Sequence, residues 1–189
     1  NSFIYHTGAL GIHIDNCGNN LISNNKSYSN ALGIYFYWGG STNNTVINND
    51  IYANLTGVHI YNGCSETILH NNRIYLNADE GLYLRLNVPD NIISNNDIDS
   101  KLKGIALRQS GMSTIADCTF GESAGNTNGD IIYDDVANND SRLVIKNSDF
   151  YSNKQVDTSY LDDTGAYVVS YNQNGDTGDV SIWGDYRLG

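Results

Sequence analysis

Val46-Ile-Asn-Asn49-Asp-Ile51, Leu69-His-Asn-Asn72-Arg-Ile74 and Ile93-Ser-Asn-Asn96-Asp-Ile98 are three copies of one pattern, apolar-x-x-Asn-x-apolar. Ile22-Ser-Asn-Asn25-Lys-Ser27 precedes them with serine in the last place. The four pattern asparagines are spaced 24, 23 and 24 residues apart. Ile115-Ala-Asp-Cys118-Thr-Phe120 continues the series 22 residues on, and Ile145-Lys-Asn-Ser148-Asp-Phe150 rejoins it after a longer insertion. Ser2 and Ile4 fit the tail of an earlier copy.

A second series runs beside the first. Gly11-Ile-His-Ile, Gly33-Ile-Tyr-Phe, Gly57-Val-His-Ile, Gly81-Leu-Tyr-Leu and Gly104-Ile-Ala-Leu recur at spacings of 22, 24, 24 and 23. Gly165-Ala-Tyr-Val is read as a late member. Alternation of apolar and polar residues with period two marks strands, not helices. Each unit therefore holds a glycine-led long strand, a polar turn, a short apolar strand, an asparagine turn and a further short strand. The Leu-x-x-Leu-x-Leu consensus of leucine-rich repeats is absent.

Three strands in 22–24 residues close a coil, and each strand then pairs in parallel with its copy about 4.8 Å along the axis. The expected fold is all-β: a single parallel β-helix of about seven coils with an asparagine ladder. Apolar columns fill the interior. Asparagine amides stack at one turn, and asparagine also tolerates the left-handed backbone that a tight turn needs. The whole chain, 1–189, is expected to be one domain, regular over 1–120 and looser over 121–189. Gly121–Gly129, Asp134–Ser141 and Tyr151–Thr164 read as loops, and Val180-Ser-Ile-Trp183 as a last strand.

Composition narrows the function. The chain has 10 basic and 21 acidic residues, a net charge of −11, which repels nucleic acid and anionic membranes. There are 28 asparagines and 14 tyrosines. No apolar run approaches the ~20 residues of a membrane span. Cys17, Cys64 and Cys118 lack both the number and the spacing of a disulfide framework or a zinc site. The sequence starts in mid-coil without an initiator methionine, so a segment of a longer or assembled protein is expected. A bare solenoid end exposes strand edges, so end-to-end self-association or a covering partner is expected as well.

These units resemble the right-handed β-helix repeat of the carbohydrate-binding and sugar-hydrolase superfamily. That superfamily includes pectate-lyase-like enzymes, alginate epimerases, phage tailspikes and periplasmic maturation proteins of nitrous-oxide reductase. The resemblance is close over 1–120. It implies an extracellular, cell-surface or periplasmic protein that handles polysaccharide or builds a surface structure. The Asp-Pro-His of the alginate epimerases is missing, and so is an aspartate cluster like the calcium site of pectate lyases.

The residues themselves mark one surface. In Gly-Ile-x-Ile-x the second and fourth positions after glycine face out. One outward column reads His13, Tyr35, His59, Tyr83, Ala106; the next reads Asp15, Tyr37, Tyr61, Arg85, Arg108. Trp38 lies at the edge. Aromatic bodies with polar tips suit sugars, and guanidinium groups suit carboxylates. The expected glycan-binding residues are therefore Tyr35, Tyr37, Trp38, His59, Tyr61, Tyr83, Arg85 and Arg108. Within them His59, Tyr61, Tyr83 and Arg85 form the candidate catalytic cluster for proton removal beside a uronate carboxylate. Three readings stay open: a polysaccharide-binding module, a purely structural surface-layer, sheath, adhesin or filament subunit, and a polysaccharide lyase or epimerase. No cofactor is called for. Asn172-Gln-Asn174-Gly-Asp176-Thr-Gly178-Asp179 offers oxygen ligands to calcium but departs from the helix-loop-helix consensus at Thr177 and Trp183.

Overall fold

The computed structural model describes residues 2–6, 8–121, 126–133, 142–151, 156–157 and 168–171. Within them the chain is a solenoid of three seven-stranded parallel sheets. The long-strand sheet stacks Leu10–Asp15, Leu32–Tyr37, Thr56–Tyr61, Glu80–Arg85, Lys103–Arg108, Gly129–Tyr133 and Val156–Asp157. A second sheet stacks Leu21–Ser23, Thr45–Ile47, Ile68–His70, Asn91–Ser94, Met112–Ala116, Arg142–Lys146 and Val168–Tyr171. The third stacks Phe3–Tyr5, Lys26–Tyr28, Asp50–Tyr52, Arg73–Tyr75, Asp97–Asp99, Thr119–Phe120 and Asp149–Phe150. Five coils are complete and regular between Leu10 and Phe120.

Pairing is in register, so like residues lie on like residues and the core is a set of columns. Val46, Leu69, Ile93, Ile115 and Ile145 form one. Ile51, Ile74, Ile98, Phe120 and Phe150 form another, in which the two phenylalanine rings stack at 4.9 Å. Ile34, Val58, Leu82 and Ile105 form a third, fully buried. Ser27, the exception in the sequence pattern, is buried and donates to the Gly33 carbonyl at 2.8 Å.

The asparagine turn divides its work between two residues. The first of each pair, Asn24, Asn48, Asn71 and Asn95, takes the left-handed conformation, with φ of 57°, 57°, 53° and 54°. The second is the ladder residue. The backbone N–H of Asn25, Asn49 and Asn72 donates to the side-chain oxygen of Asn49, Asn72 and Asn96 at 2.9, 3.0 and 2.9 Å. Cys118 keeps this scheme without an amide: its thiol donates to the carbonyls of Ile93 and Ala116, the counterparts of Leu69 and Ser94 under Asn96. Burial pushes that thiol up to about 11.

The register corrects the sequence reading in the later coils. Val168–Tyr171 pairs with Arg142–Lys146 in the second sheet, so Val168 does not lie in the long-strand series, and Gly165, Ala166 and Tyr167 lie outside the described residues. The sixth long strand is Gly129–Tyr133, paired with Lys103–Arg108. It escaped the pattern because Asp130 stands next to Gly104, where the five earlier coils have glycine. The glycine column itself serves close approach. A Cβ at Gly57 would sit 2.5 Å from the Gly81 carbonyl oxygen and 2.8 Å from the Asn77 amide nitrogen. The calcium candidate at 172–179, the strand at 180–183 and most of the late loops lie outside the described residues.

Candidate functional site

Outward positions of the long strands alternate with the buried Ile and Leu columns, which fixes two parallel rows of side chains. In the first row His13 stacks on Tyr35 at 5.2 Å, Tyr35 contacts His59 at 5.2 Å, and His59 stacks on Tyr83 at 4.9 Å. In the second row Tyr37 stacks on Tyr61 at 5.6 Å with an interplanar angle of 7°. The Arg85 guanidinium then lies 5.3 Å from the Tyr61 ring centre, and Arg108 is its register partner in the next coil. Trp38 meets Tyr37 edge-on at 5.4 Å and is half exposed. The strands thus bring together Tyr35, Tyr37, Trp38, His59, Tyr61, Tyr83, Arg85 and Arg108 on one face. Ala106 also points outward, but it is fully buried, so the open part of its row ends at Tyr83.

The cations of the molecule are partnered unevenly. Lys26, Arg73 and Lys103 each face a carboxylate, at 3.4 Å from Asp50, 3.7 Å from Asp97 and 3.2 Å from Glu80. Arg85 and Arg108 have no ion-pair partner among the described residues. Two like charges directly opposite each other in a sheet destabilise it, and here no carboxylate among the described residues offsets them. The Nε of Arg85 and the Nε2 of His59 are also buried without a hydrogen-bond partner. Burial, with Arg85 adding to it, pulls His59 down to about 4, so the ring is neutral at ordinary pH. Burial pushes the Tyr35 phenol up to about 12, with Tyr37 next in effect.

For the candidate catalytic cluster of His59, Tyr61, Tyr83 and Arg85 the geometry is unfavourable in one respect. A general base must reach the proton it removes. His59 Nε2 is sealed between neighbouring side chains, and no substrate atom reaches it without movement of the row. No group of three or more His, Cys, Asp or Glu side chains is arranged to hold a metal among the described residues.

Sequence reasoning missed two further rows. Tyr5, Tyr28, Tyr52 and Tyr75 stack on the third sheet at 5.0, 4.9 and 5.0 Å, with Arg73 over Tyr75 at 4.8 Å. Asn30, Asn54 and Asn77 form a second buried ladder, each backbone N–H donating to the next side-chain oxygen at 3.0 Å. Both were visible as residues recurring at the coil spacing.

The chain belongs to the right-handed β-helix family: the family model "Right handed beta helix region" matches residues 1–140. No curated protein matches the chain by sequence. Among solved structures it is similar to the enzymatically active domain of bacteriophage CBA120 tailspike protein 2, at 18% identity and a TM-score of 0.52 over 76% of this chain. It is also similar to the periplasmic alginate epimerase AlgG. One mutant form of that enzyme gives 22% identity and a TM-score of 0.58, and a double mutant gives 16% and 0.61, each over 90% of this chain. The chain spans only 23%, 37% and 46% of those three chains. At such identities the likeness establishes the fold. No helix among the described residues is long and apolar enough to cross a membrane.

Proposed function

We propose that this protein is a β-helix module that binds an acidic polysaccharide, outside the cytoplasm, along the outward face of its long strands. One observation carries the reading: Arg85 and Arg108 lie in register on adjacent strands, without a carboxylate partner among the described residues, on a chain of net charge −11. A uronate or sulfate chain lying along the axis supplies the missing anions, and guanidinium groups hold carboxylates in a two-pronged geometry. The tyrosine rows beside them add hydroxyl tips at a regular spacing of about one rung. Similarity in fold to a tailspike and to a periplasmic epimerase agrees with a polysaccharide outside the cytoplasm.

The reading is of binding without turnover, because the Nε2 of His59 is enclosed and burial leaves the ring a weak base. A panel of acidic and neutral polysaccharides tests it. Acidic polymers should bind, weakly, and no new unsaturated ends should appear in uronate polymers. Unsaturated ends would make the protein a lyase. No binding to any polymer would leave the stacked rows as a stabilising ladder and the protein as a structural surface module.

A further inference from the structure

We propose that Trp38 is a stacking subsite for one pyranose ring of a 1,4-linked polysaccharide, set two rungs from the Arg85 carboxylate contact. This rests on the reading of the long-strand face as glycan-binding and adds where a sugar lies flat upon it. In the rows described above most rings lie on one another, so the inner ones turn edges and polar tips to the solvent. Such a row gives hydrogen bonds but little open ring face. Trp38 differs. It is 53% exposed, and its contact with Tyr37 is edge-on at 66°. The register positions before and after it hold Asn16 and Asn62, so no ring stacks on the indole among the described residues.

The turn after the indole is rich in glycine, with the Asn16 side chain lying over Gly40. Gly39 and Gly40 follow Trp38 and are exposed. Gly63, in the next coil, has a φ of +84°, and a Cβ there would lie 3.3 Å from Gly39 Cα. A Cβ on Gly18, in the coil before, would lie 2.6 Å from the Thr42 carbonyl oxygen. These glycines let neighbouring coils approach closely, so the exposed indole stands beside a backbone shelf.

Trp38 also sits in a conformation that does not suit it. Its φ is +66°, in a column where Asn16, Asn62, Leu86 and Gln109 have φ of 51°, 59°, 59° and 51°. Amide side chains are at home there; Trp38 and Leu86 are the bulky exceptions. From Trp38 to Arg85 is two rungs, about 10 Å along the axis. An extended 1,4-linked pyranose chain advances by close to one rung per residue. A ring stacked on Trp38 therefore places the carboxylate of the second residue onward at Arg85.

Fluorescence tests this directly. The chain has two tryptophans, so Trp183→Phe leaves Trp38 as the only reporter. A 1,4-linked uronate hexamer, with a neutral 1,4-linked glucose hexamer as control, is titrated into this protein. The uronate hexamer should shift the emission saturably. Trp38→Asn should weaken its binding about tenfold or more while the melting temperature stays or rises, and Trp38→Phe should retain part of the affinity. If calorimetry finds binding that Arg85→Ala abolishes, yet the emission is unmoved and Trp38→Asn binds as before, the subsite is overturned and the face reading stands. If neither hexamer binds the unaltered protein, both are overturned.

Discussion

His59 is a neutral imidazole pressed between Tyr35 and Tyr83, and its burial has a consequence for acid stability. The unfolded chain takes up this proton near pH 6.5, the folded chain only near pH 4. Its contribution is therefore complete above pH 6.5 and drains away as the pH falls towards 4. At ~1.4 kcal/mol per pH unit the whole effect is about 3 kcal/mol. Urea unfolding between pH 4 and 7.5 should show this loss in the unaltered protein and much less of it in His59→Phe. A second residue is held against its preference. Leu76 has φ +54° and is 45% exposed, at a corner where Ser29 and Ala53 take the same conformation. Leu76→Asn should raise stability by up to ~1 kcal/mol, read from the urea midpoint, because asparagine accepts a left-handed backbone more easily. Neither effect was legible in the sequence. His59 was visible as an outward residue, but its enclosure depends on the rings that the coils above and below place against it.

At the scale of the elements, the asparagine turn decides stability. Asn72 accepts hydrogen bonds from the backbone and amide of Asn49, both at 3.0 Å, and donates to the carbonyls of Val46 and His70 at 2.9 and 3.1 Å. Asn72→Leu strands several buried polar groups at once, so a loss of ~2–4 kcal/mol is expected on denaturation. Asn71→Gly, one residue earlier, should change stability little, since that exposed residue is needed for its left-handed φ of 53°. The ladder was legible because its asparagines are flanked by fixed apolar residues. The Asn30, Asn54 and Asn77 ladder recurs just as regularly, but it follows tyrosine and precedes varied residues, so it passed for ordinary turn polarity. The two outward rows were legible from strand alternation alone. The sixth long strand was not, because Asp130 replaced the glycine that had marked the others.

At the scale of the whole molecule, no described strand pairs on the outer side of the first rung of each sheet. Ile12 and Ile14 are only partly covered there, and Phe3 and Tyr5 are 65% and 51% exposed. Unpaired strand edges template further pairing. The 189-residue chain should therefore self-associate as its concentration rises, in sedimentation velocity, and Ile12→Lys should shift it towards the monomer.

The same scale sets the strength of ligand binding. The net charge of −11 opposes a polyanion, while Arg85 and Arg108 attract one locally. Added salt screens both, within a Debye length of about 10 Å at 0.1 M. The most direct measurement is a calorimetric titration of a uronate hexamer at low and high salt, into the unaltered protein and into an Arg85→Ala, Arg108→Ala double variant. Weak, salt-sensitive binding by the first and none by the second is expected, with the circular dichroism of the two unchanged. Equal binding by both proteins, or binding indifferent to salt, would contradict that expectation.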